Sequence, residues 1–106
     1  MRTWFLFSAV ACGLAGGFAV AQGAQPDSGR NIAATCASCH GTNGLSAGGS
    51  ATLAGRPQSD LVAKMREFKS NALPATVMPQ LAKGYTDEQI DLAAAWFAAQ
   101  PPVPAK

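Results

Sequence analysis

Cys36, Cys39 and His40 form a Cys-x-x-Cys-His run that puts two thiols and an imidazole within five consecutive residues. This order matches the attachment pattern of a c-type haem, in which the thiols add to the porphyrin vinyl groups and the adjacent imidazole reaches the iron. With two residues between them, both sulfurs are presented from a single turn of chain. The next residue then points at the ring centre.

Two other chemistries use a Cys-x-x-Cys pair. A structural zinc site needs four ligands, and outside the first 21 residues the chain has no further Cys and no second His, so only a carboxylate is left to complete the set. A thioredoxin-like redox couple needs strands in a βαβ frame. The residues around this pair read instead as helix and glycine loop.

The elements that must hold these groups follow from capping and periodicity. Asp27 and Ser28 offer an N-cap, and the residues from Gly29 run in helical register into the cysteines. Ile32 and Thr35 share the cysteines' face and are expected at the cofactor or another helix. Gly29 either permits a close helix crossing or frays the first turn. Residues 41–50 are dense in Gly, Ser and Asn and read as a loop. No Lys-Ser or Lys-Thr pair follows and no strand precedes, which excludes a phosphate loop; small residues there suit a chain passing a flat ring edge. Leu53 is expected to turn inward.

A second helix is predicted over 57–70, with Pro57 in its first turn, Leu61, Met65 and Phe68 as the apolar stripe, and Asn71 as a left-handed terminator. Arg56, just before it, has a guanidinium suited to a propionate or to solvent. Pro74 and Pro79 argue against a regular helix between them and leave Met78 in an extended loop, since a following proline disfavours helical backbone. Thr86-Asp87-Glu88-Gln89 is a capping box that opens a last helix bearing Ile90, Ala93, Ala94 and Phe97 on one face, with Leu92 and Trp96 beside it. Pro101 and Pro102 stop it, and the short tail beyond is expected to be mobile.

At its N-terminus the chain has Arg2, an uncharged apolar run from Trp4 to about Val20, and a small-x-small Ala19-Val20-Ala21 pattern. This pattern predicts a cleavable export signal over residues 1–21, with a mature domain at 22–106. The glycines at 13, 16 and 17 and the lack of a following basic cluster argue against a membrane anchor. The residues before Cys12 lack the usual leucine of a lipoprotein site. Cleavage leaves 85 of the 106 residues, one small domain. Chains this small usually need a disulfide, metal or cofactor, and with Cys12 removed Cys36 and Cys39 offer no wider disulfide framework. Export agrees with c-type haem, which is attached outside the bacterial cytoplasm. The whole chain carries eight basic and six acidic residues. No basic stretch is interleaved with aromatics, so no nucleic-acid partner is expected.

His40 supplies one axial position of an iron. Met65, Met78 or nothing fills the other. Met65 lies in a helical apolar stripe, where methionine is usually core filling, whereas Met78 lies in a proline-stiffened segment far enough along the chain to return on the opposite face. Met78 is therefore the expected ligand. A His and Met pair raises the reduction potential and closes both faces, which suits electron transfer rather than substrate binding.

Taken together, the run 36–44 with its glycine loop, Met78-Pro79 and the capped aromatic-bearing helix resemble the small class I cytochromes c. That resemblance implies an all-α fold, helices wrapped around one covalently attached haem c with the first and last helices crossing. The stretches 36–44, 67–70 and 75–85 are more closely similar to the haem subunit of the flavocytochrome c sulfide dehydrogenases, over residues 33–97. The chain departs at Pro79, where that subunit often has Gly, and at Gly29, one residue nearer the first Cys than in many class members. The resemblance implies thioether attachment at Cys36 and Cys39, axial ligation by His40 and Met78, and a separate flavoprotein that oxidises sulfide and passes electrons to this haem. The expected function is a periplasmic one-electron carrier, itself not an enzyme. The alternative is a freely diffusing cytochrome serving a terminal oxidase or another dehydrogenase.

Overall fold

From the described residues, 27–104 of a computed structural model, five helices form and no strand: α1 Ser28–Ala34, α2 Ala37–His40, α3 Gln58–Lys69, α4 Met78–Ala82 and α5 Asp87–Ala98, with a one-turn 3-10 helix at Thr42–Gly44. The expected leader over 1–21, the lead-in to Pro26 and the last two residues lie outside the described residues.

The capping box of α5 forms in full. Gln89 N–H donates to Thr86 Oγ1 at 3.1 Å, and Thr86 N–H donates to Gln89 Oε1 at 2.9 Å. Asp87 and Glu88 lie in the first turn, where the helix dipole favours negative charge. From this start Ile90, Ala94 and Phe97 fall on one buried stripe. Ala94 and Phe97 join Ala33 of α1 and Leu61 of α3 in the core, and Cys36, Leu53, Val62 and Trp96 pack around them. Leu53 turns inward as expected. Trp96 meets Phe97 edge-on, their centroids 5.2 Å apart.

The first and last helices cross, and Gly29 is what lets them approach. A Cβ at Gly29 would stand 2.6 Å from the Leu92 carbonyl oxygen and 3.4 Å from the Trp96 Cβ. Both are α5 atoms, so of its two readings the close crossing holds. Gly29→Ala is expected to destabilise the protein by about 1–3 kcal/mol, because the backbone oxygen cannot give way. That outweighs the roughly 1 kcal/mol of helix propensity alanine brings, which is only partly realised in a first turn. A lower denaturant midpoint with an unaltered visible spectrum is the expected measurement.

Four expectations need correction. Asp27 takes the N-cap position of α1 but makes no side-chain cap bond. Pro57 lies one place before α3, as its N-cap. The first helix does not run unbroken into the cysteines: Thr35 and Cys36 form a turn, with Thr35 N–H reaching Ile32 O at 3.1 Å and Cys36 N–H reaching Ala33 O at 3.0 Å. The Thr35 hydroxyl also donates to Ile32 O at 2.7 Å, which tightens that turn. Finally, Met78 opens the short helix α4 instead of lying in an extended loop. Pro79 sits in the first turn, where its missing N–H is no loss, and its burial beside Ala82, which is 0% exposed, favours the helix by packing.

Asn71 adopts the left-handed conformation expected of a helix terminator, φ 61°. In the glycine loop, Gly44 is buried because a Cβ there would meet the Phe97 ring at 2.8 Å, while Gly48 and Gly49 face open space. Of these three glycines, Gly44 is the one in close contact with a core side chain. At the same residue of α5, Gly55 N–H donates to Phe97 O at 2.9 Å, and Pro102 packs against Gly55.

Candidate functional site

Cys36 and Cys39 are three residues apart on one helical turn, a spacing that puts two side chains on the same face. Cys36 is the N-cap of α2, Cys39 lies within it, and His40 ends it. Gly41 follows with φ 82°, so the chain leaves the helix directly after the imidazole. All three side chains line one cavity of about 460 Å³. That volume falls in the range of cofactor sites.

Every helix contributes to its walls. Ile32 and Thr35 from the end of α1 lie beside the cysteines as their shared face predicts. Leu61, Met65 and Phe68 come from α3, Met78 and Leu81 from α4, and Ile90, Ala93, Ala94 and Phe97 from α5. The lining is mostly aliphatic and aromatic, which excludes water from whatever fills it. Beyond Cys36, Cys39 and His40 its polar groups are few: the Thr35 and Tyr85 hydroxyls, Ser38, Ser50, Lys64 and Gln89.

His40 is held in a definite tautomer. Its Nδ1 lies 2.6 Å from the Ala51 carbonyl, and a carbonyl only accepts, so Nδ1 carries a proton and, in the neutral ring, Nε2 is the nitrogen with the lone pair. This backbone bond is the kind of second partner that orients a metal-binding imidazole. The sequence offered no signal for it, since any residue can supply a carbonyl.

The competing thiol chemistries fare badly. A redox-active cysteine has its thiolate favoured, yet burial pushes the Cys36 thiol above its ordinary value, with the Thr35 hydroxyl opposing only in part. Among the described residues there is no βαβ frame. No group of three His, Cys, Asp or Glu side chains among them is placed to hold a metal ion unaided, so the carboxylate that zinc would need is not supplied. What does fit is a haem: an apolar chamber of suitable size, two thiols from one turn, an imidazole with its lone pair free, and thioethers on other walls.

Both candidate methionines reach the chamber. Met65, read from the sequence as part of a helical apolar stripe, lines the same cavity as Met78. The two differ in mounting. Met65 is mid-helix in the α3 stripe, whereas Met78 is the first residue of a helix pinned by buried Pro79 and Ala82. Arg56 does not line the chamber; it borders a separate small recess with Asp60, Lys64 and Glu67. Tyr85, read from the sequence only as part of a turn, turns out to line the chamber and to bond Thr35 at 2.7 Å.

The sequence model of the family described as Cytochrome c matches residues 26–99. Over 69 residues the chain is 36% identical to a protein of Chlorobaculum tepidum described as the cytochrome subunit of sulfide dehydrogenase. The match takes in 65% of this chain and spans 63% of that protein's length. No helix among the described residues is long and apolar enough to cross a membrane.

Proposed function

Because the chain belongs to the cytochrome c family, and is thus an electron-transfer protein carrying covalent haem c, we propose that it serves a flavoprotein sulfide dehydrogenase as its exported haem subunit. The similarity to the cytochrome subunit of sulfide dehydrogenase carries this reading. The first 21 residues direct the chain to the periplasm and are removed there. Sulfur chemistry belongs to the flavoprotein, and this chain takes up electrons one at a time.

Within the chain, Cys36 and Cys39 provide the two thioether links. His40 Nε2 and the Met78 sulfur, which line the same cavity, would be the two protein ligands to the haem iron. When bound, the haem iron supplies a one-electron couple whose potential a His and Met pair raises. The Ala51 carbonyl fixes the orientation of the His40 ring, and the apolar walls from α3 and α5 would keep water off the iron's ligands. Val77 and Leu81 also line the cavity and would border the cofactor.

Purification from the native source decides the partner. The expected preparation holds flavin and haem in a fixed ratio, and sulfide reduces the haem only while the flavoprotein is present. A monomeric haem protein without flavin, reduced equally well by unrelated donors, would point to the freely diffusing carrier.

A further inference from the structure

Among the described residues, a single side-chain hydrogen bond joins the segment carrying Cys36 and His40 to the segment carrying Met78: Tyr85 Oη to Thr35 Oγ1, at 2.7 Å. Its direction follows from counting protons. The Thr35 hydroxyl has one hydrogen and donates it to the Ile32 carbonyl at 2.7 Å. Tyr85 must therefore be the donor to Thr35.

Tyr85 is also tied through its backbone. Its carbonyl accepts from Lys69 Nζ at the end of α3 at 2.8 Å, and the same ammonium reaches Asp87 in the first turn of α5 at 3.1 Å. Its N–H donates to the carbonyl of Ala82, the last residue of α4, at 3.3 Å. Thr35 immediately precedes Cys36, and α4 begins with Met78. One tyrosine thus couples the attachment turn to α3, α4 and α5.

We infer that the Tyr85 hydroxyl is a positioning group for the axial methionine: its bond to Thr35 sets how firmly the α4 segment holds the Met78 sulfur against the iron. This rests on Met78 being the axial ligand. Loss of the bond leaves the iron centre intact but lets α4 swing away more readily, so an external ligand displaces the sulfur at lower concentration.

The test is imidazole titration of the ferric holoprotein, read by the methionine-to-iron charge-transfer band. Tyr85→Phe is expected to bind imidazole about three- to tenfold more tightly than wild type, the fold-change that the net worth of one protein hydrogen bond amounts to. Thr35→Val gives a similar gain, Thr35→Ser restores wild-type affinity, and the Tyr85→Phe/Thr35→Val pair adds little beyond either single change. A purely structural role would lower thermal stability and leave imidazole affinity unmoved. That result, with the band present in wild type, overturns the inference and spares the ligand assignment. A wild-type protein with no such band overturns the assignment itself, and the inference with it.

Discussion

Replacing Met78 with alanine is expected to abolish the methionine-to-iron charge-transfer band, lower the reduction potential and open the iron to carbon monoxide or imidazole. Met65→Leu should leave all three near wild type. Both side chains reach the chamber, so the prediction turns on mounting. Met78 begins a helix anchored by buried Pro79 and Ala82, and its position at the N-terminus of α4 leaves the thioether free of a preceding turn. Met65 sits mid-helix in α3, between Leu61 and Phe68 on the wall of the chamber. Axial ligands set haem potentials over a span of roughly 0.8 V, and exchanging the thioether for water or nothing should move the midpoint by an appreciable fraction of that. Potentiometry and the reduced protein's carbon monoxide spectrum measure both effects. If Met65→Leu removes the band and Met78→Ala does not, the ligand is Met65.

Removing both thiols, Cys36→Ala with Cys39→Ala, is expected to abolish covalent haem and the cooperative fold together. The core cluster among the described residues consists of Ala33, Leu61, Ala94 and Phe97, with no large side chain fully enclosed. A core this small supplies only about 3–5 kcal/mol. The apolar chamber beside it, about 460 Å³, is surface that must be filled to count as interior. Cys36 is itself packed at the edge of that core. Either single variant should retain haem through the remaining thioether, in lower yield and with reduced stability. Intact mass and far-UV circular dichroism read attachment and helix content separately. A doubly substituted chain that unfolds cooperatively with native helix content would show that the fold does not need its cofactor.

Local rules read the chain well where one chemistry dominated. The capping box at Thr86 and Gln89, the stripe of α5 and the left-handed Asn71 all form as their residue types require. Gly29 left two readings open, because only the position of the Leu92 carbonyl on another helix shows which applies. Where tertiary packing competed with a local preference, the preference lost. A proline after Met78 disfavours helix in an isolated peptide, yet α4 forms with Pro79 and Ala82 buried. The break between α1 and α2 was missed because Thr35 looks like any helical residue until its hydroxyl is seen bonding back to Ile32.

The site divided the same way. Cys36, Cys39 and His40 were legible because their spacing is itself the chemistry. Met78 was legible as a candidate but not separable from Met65 by reach, since both arrive at the chamber. The Ala51 carbonyl that fixes the His40 tautomer carries no sequence signature, and the Tyr85 to Thr35 bond spans fifty positions. Groups that act through long-range contact have to be found in three dimensions.

The visible spectrum and intact mass of protein purified from its native host test the central claim most directly. The expected preparation is coloured, with a Soret band, a haem that denaturant does not extract, and a mass above that of the polypeptide by one haem. A colourless protein of bare polypeptide mass, with Cys36 and Cys39 both free to react with a thiol reagent, would contradict it.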